Sequence, residues 1–165
     1  MIKKKFKMKR IFFLAGFFIT IFMQPISAQD SLTTNQLSQL LTHYYGIKDA
    51  LVAGNATIAA IKSTEFMKTA NGISKVITKE NISELNKDAV AISETKDIKK
   101  QREHFSGLSN NMSKLAKSIK MTTEPVYLAY CPMKKVNWLS SDKEIKNPYY
   151  GNAMLTCGNI VETIN

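Results

Sequence analysis

The residues with the most distinctive chemistry lie in two short pairs near the end of the chain. Cys131 is followed two positions later by Met133, and Met154 precedes Cys157 by three positions. Residues two apart share a face of an extended segment, and residues three apart share a face of a helical turn. Thiolate and thioether sulfur are soft ligands that select monovalent copper over hard cations. The spacing therefore predicts one all-sulfur site for monovalent copper or silver, built from both pairs.

The beginning of the chain indicates where this chemistry would take place. Residues 1–10 carry six basic side chains and no acid, and residues 11–23 are almost wholly apolar. Pro25 then precedes Ile26-Ser27-Ala28, a candidate cleavage site with a small residue at its end. This order is typical of a secretory signal peptide. The apolar run of about 13 residues is shorter than the roughly 20 that a membrane-spanning helix needs. We therefore expect cleavage after residue 28, a periplasmic or secreted protein, and no membrane span in the mature chain.

An oxidising compartment leaves open a second interpretation of the cysteines. Two cysteines in an exported protein commonly form a disulfide, and one that closes a loop of about 25 residues stabilises by about 3–4 kcal/mol. Met133 and Met154 would then be core residues that fill gaps. The alternative to the metal site is thus a structural or interaction domain of the cell envelope, stapled by Cys131–Cys157. Residue types leave both interpretations open.

A fifth candidate ligand, His104, comes from a predicted helix. It lies one position before Phe105 and therefore borders the apolar seam of that helix. A histidine in this position commonly packs its ring and exposes one nitrogen, but it could also add a ligand to the sulfur site. Zinc is disfavoured, because the chain has only two cysteines and two histidines, and methionine is a poor zinc ligand.

Charge and motif content exclude several classes of function. The full chain has a formal charge of +10, but without the leader it has 17 basic and 13 acidic residues, which gives +4. Its only arginine beyond the leader is Arg102, and no basic stripe with interleaved aromatic residues occurs, so nucleic-acid binding is disfavoured. No nucleophile motif, paired metal-binding histidines or glycine-rich phosphate loop is present. We therefore expect a protein that is not an enzyme.

The sequence between the leader and Cys131 predicts helices. Apolar residues recur at three- and four-residue spacing, and short polar or glycine-containing segments separate the four periodic stretches, which cover residues 31–52, 56–69, 81–95 and 97–120. Short connections favour antiparallel neighbours. We therefore expect residues 29–165 to form one mainly α domain. It would be an antiparallel four-helix bundle with an irregular C-terminal strap, residues 125–165, that contains short extended segments.

Several motifs together resemble a known family. They include YCPM at 130–133, WLS at 138–140 and IKNPYYGNAMLTCG at 145–158, with HYYGIKDALVAGN at 43–55 and QREHFSGLS at 101–109 in the helical part. These motifs are similar to those of a bacterial envelope domain of unknown function. That domain occurs alone after a signal peptide, and also at the C-terminal end of periplasmic adaptor subunits of copper/silver efflux pumps.

The resemblance carries expectations about fold, chemistry and partners. It implies a mostly helical bundle and a role in heavy-metal handling, with efflux-system or other envelope proteins as partners. It also gives weight to five residues as a set, because they lie in the recognisable motifs: His104, Cys131, Met133, Met154 and Cys157. The family often has Cys-Pro-Met-Ala where this chain has Lys134 and Lys135 after Met133. Two lysines beside a cation site would be mildly unfavourable unless they point to solvent.

Overall fold

The structure is a computed structural model that describes residues 27–165. Four helices come first, and each packs mainly against the next in the chain: α1 Ser27–Val52, α2 Ala56–Gly72, α3 Lys79–Glu94 and α4 Ile98–Ser118. The expectation of a mainly helical protein with four helices is confirmed. The predicted leader lies outside the described residues except for its last two positions. No helix within residues 27–165 is long and apolar enough to cross a membrane.

Local capping explains where three of the helices begin. The side chains of Asn55, Thr78 and Asp97 accept hydrogen bonds from backbone N–H groups of the first turns of α2, α3 and α4. These groups have no partner inside the helix, so each cap stabilises its helix by about 1 kcal/mol. Gly54, with φ of 72°, lies in the short link that allows α2 to follow α1 closely.

One buried amide connects three of the helices near these caps. The Nε2 group of Gln101 lies 2.9 Å from Ala56 O, 3.1 Å from Ile92 O and 2.8 Å from Thr95 O. Gln101 is fully buried. It therefore satisfies carbonyl groups at the beginning of α2 and the end of α3 from the first turn of α4.

The C-terminal region is more regular than the expected strap. Three strands form one antiparallel sheet in the order β2-β1-β3: β1 Val126–Cys131, β2 Val136–Ser140 and β3 Asn159–Ile164. β1 is central, and β2 packs against α4. A single-turn 3₁₀ helix, Gly151–Ala153, interrupts the long connection from β2 to β3. The sequence indicated the extended segments but not their pairing, which depends on contacts between distant residues.

An aromatic chain connects the sheet to the helices. The ring of Tyr44 on α1 stacks on Phe105 of α4 at a centroid distance of 5.3 Å, and Phe105 lies 5.9 Å from Tyr149. Tyr149 meets Trp138 of β2 edge-on at 6.1 Å. All four side chains are buried in one continuous core. Aromatic pairs in such arrangements contribute about 0.5–1.5 kcal/mol beyond their buried area, so this chain fixes the sheet on the bundle.

The hydroxyl group of Tyr44 adds a polar connection at the same interface. It shares a hydrogen bond of 2.6 Å with Ser109 Oγ, and it accepts one of 3.0 Å from the backbone N–H of Leu139. Burial raises the pKa of Tyr44 well above its ordinary value, so the phenol stays neutral. One side chain thus joins α1, α4 and β2.

Candidate functional site

The site forms where the end of β1 meets the connection that leads into β3. Cys131 is the last residue of β1 and is fully buried, whereas Cys157 lies just before β3 and is half-buried. The two thiols share a hydrogen bond, and both are free. The structure therefore brings together the two cysteines that the sequence separates by about 25 residues.

Asn147 holds the two cysteine segments together. Its Nδ2 group donates to Cys131 Sγ at 3.2 Å and to the carbonyl oxygen of Cys157 at 2.6 Å. Its Oδ1 accepts from the backbone N–H of Tyr149 at 2.8 Å, and its own N–H donates to Leu155 O at 2.8 Å. The side chain is fully buried, so these hydrogen bonds form away from water.

Asn147 is not among the residues that the sequence predicted for the site. The signal was present, because an asparagine before proline commonly accepts a hydrogen bond from the backbone two residues later. Asn147 accepts that bond from Tyr149. Its second role, as a donor to sulfur, depends on β1 and could not be read from local sequence.

Each sulfur receives an N–H donor of its own. Asn147 donates to Cys131, and the backbone N–H of Met133 donates to the Cys157 sulfur. Burial, the largest cause, and the neighbouring Cys131 together raise the pKa of the Cys157 thiol, while the Met133 N–H acts in the opposite direction. Hydrogen bonds to sulfur favour the thiolate form. Because its pKa is raised, Cys157 is a neutral thiol at pH 7 in the protein without a ligand. The N–H of Met133 is nevertheless in position to stabilise the thiolate if it forms.

The two candidate methionines lie next to the cysteines but differ in exposure. Met133 is in the turn between β1 and β2 and has 64% of its surface exposed. Met154 ends the 3₁₀ turn, is half-buried, and accepts a hydrogen bond from the N–H of Cys157 through its carbonyl oxygen. Both thioether-bearing residues are therefore backbone neighbours of the thiol pair.

His104 lies at a different contact. It faces Asp88 of α3. Burial raises the pKa of Asp88, and the nearby His104 partly offsets this rise. The Asp88 carboxylate also lies over Gly107, one turn later on α4. A Cβ added at Gly107 would lie only 2.3 Å from Asp88 Oδ2. Phe105 instead faces Tyr44 and Tyr149. Among the residues that the structure describes, His104 and the two cysteines do not come together as a group of three metal ligands.

Gly158 packs the segment after Cys157 tightly against the core. Its φ is 150°, and a Cβ there would lie 2.6 Å from Trp138 Cη2 and 2.9 Å from Tyr130 O. Only glycine fits this approach without displacing backbone or a buried ring. The residue after Cys157 is therefore packed directly on the only tryptophan of the chain.

Gly151 fixes the other end of the same connection. It has φ of 55°, and a Cβ would meet Arg102 Nη2 at 2.4 Å and Val52 O at 2.8 Å. Arg102 donates from Nη2 to Leu51 O at 2.8 Å, which satisfies a carbonyl group at the end of α1. The 3₁₀ turn thus contacts the end of α1 and the beginning of α4, so the connection that carries Cys157 is packed at both Gly151 and Gly158.

The turn that follows Cys131 carries two positive charges. Residues 125–141 contain two charged side chains, Lys134 and Lys135, and residues 147–161 contain none. Both lysines are exposed in the turn after Cys131. Lys135 adopts φ of 58°, and its N–H donates to Cys131 O at 2.8 Å, which closes the turn.

The donor set fits a soft monovalent ion better than zinc. Among the residues that the structure describes, no three His, Cys, Asp or Glu side chains come together as a metal site. Two adjacent thiols can supply two thiolate ligands, and the neighbouring thioethers are the further soft donors. Structural zinc usually requires four Cys or His ligands.

Comparison with known proteins concerns mainly the helices. Residues 40–124 match the family described as "Protein of unknown function (DUF3347)". The chain belongs to this family. The matched segment of DUF3347 runs from α1 to the residue before Pro125, so the sheet and both cysteines lie beyond it. No curated protein and no solved structure matches the chain.

Proposed function

We propose that the protein is an exported module that binds monovalent copper or silver between Cys131 and Cys157 and captures the ion or passes it on. The observation that carries this proposal is that the two thiols are in contact and that each sulfur receives its own N–H donor. Donors placed on sulfur lower the free energy of a thiolate more than that of a thiol. They would prepare both cysteines to act as ligands.

The positive turn supports the same assignment. Two thiolates and one monovalent cation carry a net charge of −1. Lys134 and Lys135 therefore stabilise the loaded site, although they would disfavour a free cation alone. Because both lysines are exposed, each contributes at most about 1 kcal/mol. The lysines that seemed unfavourable from sequence are thus compatible with a bis-thiolate complex.

Met133 and Met154 would provide further soft ligands. Both are adjacent to Cys157 through backbone hydrogen bonds, so either thioether could approach an ion held by the thiol pair. We do not include His104, because its side chain faces Asp88 on α3. The proposed ligand set is therefore Cys131 and Cys157, supplemented by Met133 and Met154.

The cellular setting is part of the proposal. The leader pattern in residues 1–28 supports export, and the resemblance to a domain of copper/silver efflux adaptors supports a role beside envelope proteins that handle heavy metals. The module would bind and transfer the ion without redox or hydrolytic chemistry.

Titration of the reduced protein with monovalent copper, in competition with a chelator, tests the proposal. We expect one ion per chain, and loss of uptake in Cys157→Ser and in the double variant Cys131→Ser with Cys157→Ser. Because Cys131 is buried, circular dichroism should accompany each titration, and the half-buried Cys157 variant provides the more conservative test. Absence of stoichiometric uptake, or unchanged uptake by the double variant, would overturn the proposal.

A second function is favoured by the same contact. Thiols that share a hydrogen bond could also form a disulfide, which would make the protein a stapled interaction domain. Trp138 and Tyr149 are buried in the core, so such a domain could not use these two rings for docking. Thiol counting on protein taken from the cell envelope without reductant separates the functions. Two free thiols that copper protects support the metal site, whereas none support the staple.

A further inference from the structure

We infer that the ion enters and leaves at the hairpin tip, the turn Pro132–Lys135 between β1 and β2. The partner at the hairpin tip would be a protein with an acidic surface that carries a soft sulfur ligand. This inference rests on the proposed function. It adds a route for the ion and the chemical character of the partner, neither of which follows from the ligand set alone.

A gradient of exposure supports the route. Cys131 is fully buried, Cys157 is half-buried, and Met133 is 64% exposed. The backbone N–H of Met133 donates to the Cys157 sulfur, so the most exposed of the four candidate sulfur ligands is next to the more accessible thiol. An incoming partner would meet Met133 first, Cys157 second and Cys131 last.

Ligand exchange along this gradient needs no change of oxidation state. A sulfur atom of the partner forms a bond to the monovalent ion while the bond to Cys157 breaks, and the bond to Cys131 then breaks in the same way. Each released thiolate takes up one proton from water. The Met133 thioether can occupy a coordination position between these steps, so that the ion is never without sulfur ligands.

The charge of the hairpin tip indicates the partner. Lys134 and Lys135 are the charged side chains of residues 125–141, and both are exposed. Glu162 is the acidic residue of the three strands, but it pairs with Lys117 and lies opposite Leu128, away from the end of β1 that carries Cys131. Nothing acidic in the strands therefore offsets the positive tip, and an acidic partner would be steered to it.

Transfer to synthetic peptides tests the inference directly. The copper-loaded protein is mixed with one of two peptides that contain the same methionines, flanked either by glutamates or by lysines, and the loss of thiolate–copper ultraviolet absorption is followed by stopped flow. At low ionic strength we expect the acidic peptide to remove copper on the order of tenfold faster than the basic one. High salt should abolish this difference, because it screens exposed charges.

Two sets of variants locate the effect. Charge reversal by Lys134→Glu with Lys135→Glu should make the basic peptide the faster acceptor. The matched control, Lys75→Glu with Lys79→Glu, changes the net charge equally at two exposed positions, in the link after α2 and at the first residue of α3, and should keep the original preference. Met133→Leu should slow transfer to both peptides about tenfold, which corresponds to about 1.4 kcal/mol. Met67→Leu on α2 is its control and should leave the rate unchanged.

The outcomes separate this inference from the proposed function. A protein that takes up no copper overturns both. A protein that loads normally, but transfers to both peptides at equal rates or responds equally to the two charge reversals, retains the proposed function and overturns the acidic partner. Normal loading with an unchanged rate in Met133→Leu overturns the hairpin tip as the route.

Discussion

The side-chain amide of Asn147 donates a hydrogen bond to Cys131 Sγ at 3.2 Å, and the same nitrogen donates to Cys157 O at 2.6 Å. A single buried nitrogen thus connects both cysteine segments. Their proximity depends on a side chain that is itself neither thiol nor thioether. The stability of the loop and the chemistry of the pair should therefore respond together to changes at Asn147.

Replacement of Asn147 tests this dependence. Asn147→Ala removes three side-chain hydrogen bonds and leaves buried partners unsatisfied, so we expect it to lower the free energy of unfolding by about 3 kcal/mol. Asn152→Ala, at an exposed position in the same loop, is the control and should change it by less than about 0.5 kcal/mol. Urea unfolding measures both. Equal effects of the two substitutions would contradict the assigned role.

The Cys157 thiol should react with alkylating agents at higher pH than an ordinary cysteine. The thiolate is the reactive form, and burial with the neighbouring Cys131 raises the pKa of Cys157 above its usual value of 9.0. The rate of iodoacetamide labelling should therefore rise with a midpoint above that of a cysteine peptide. Cys131→Ser removes the neighbouring thiol and should lower the midpoint. A midpoint at or below the peptide value would be inconsistent with this environment.

The same raised pKa has a consequence for stability. The folded protein favours the protonated thiol, so the contribution of Cys157 is fully present below the ordinary pKa of the unfolded chain and decreases as pH rises through the higher folded pKa. The wild-type protein should therefore lose more stability above pH 9 than Cys157→Ser does. Denaturant titrations of both proteins across this pH range give the comparison.

Gly158→Ala should disrupt the packing of Trp138. The new Cβ would lie 2.6 Å from the indole ring and 2.9 Å from Tyr130 O, at a φ of 150° that L residues rarely adopt. We expect a loss of about 2–4 kcal/mol of stability and a changed near-ultraviolet circular dichroism signal. Gly72→Ala has no atom within 4 Å of its Cβ and should be neutral or slightly stabilising. An unaltered tryptophan signal in Gly158→Ala would show that the loop packs differently.

Tyr44→Phe tests the polar connection between the bundle and the sheet. It removes the hydrogen bond with Ser109 and leaves the buried N–H of Leu139 without its acceptor, so we expect a loss of about 2–3 kcal/mol. Tyr127→Phe removes a hydroxyl from a half-buried ring and should cost less than about 0.5 kcal/mol. A double-mutant cycle with Ser109→Ala should give a coupling energy of about 1 kcal/mol. Strict additivity would indicate that the two hydroxyl groups do not interact.

The helical part of the fold was predictable because its signals are local. In α4 the apolar spacing placed Phe105, Leu108 and Met112 on one face, and all three are fully buried. The predicted start of the fourth helix at residue 97 and the predicted break at residues 53–55 agree with the structure to within a few residues. Periodicity and caps depend on neighbours within one or two turns, and such neighbours are visible in sequence.

The candidate site was predictable only in its residue types. The two sulfur pairs suggested convergence, and the structure brings Cys131 and Cys157 into contact. The position of His104 beside Asp88 could not be foreseen, because it depends on the rotation of α4 against α3. The roles of Asn147 and Gly158 also depend on the pairing of β1 with its neighbours, which joins residues far apart in the chain.

The strand order β2-β1-β3 has a consequence for the motions of the thiol pair. β3 is an edge strand with mostly exposed residues; Ile160 and Ile164 pack partly buried against the core, and Glu162 forms an ion pair with Lys117. Backbone amides of such a strand should exchange with deuterium by local opening, at a lower free energy than those of β1, which is hydrogen-bonded on both sides. Opening that extends along β3 as far as Asn159 would release the backbone next to Cys157, whose carbonyl oxygen would then be held by Asn147 alone. We therefore expect the contact between the two sulfurs to be lost more often when β3 opens fully than when only its last residues do.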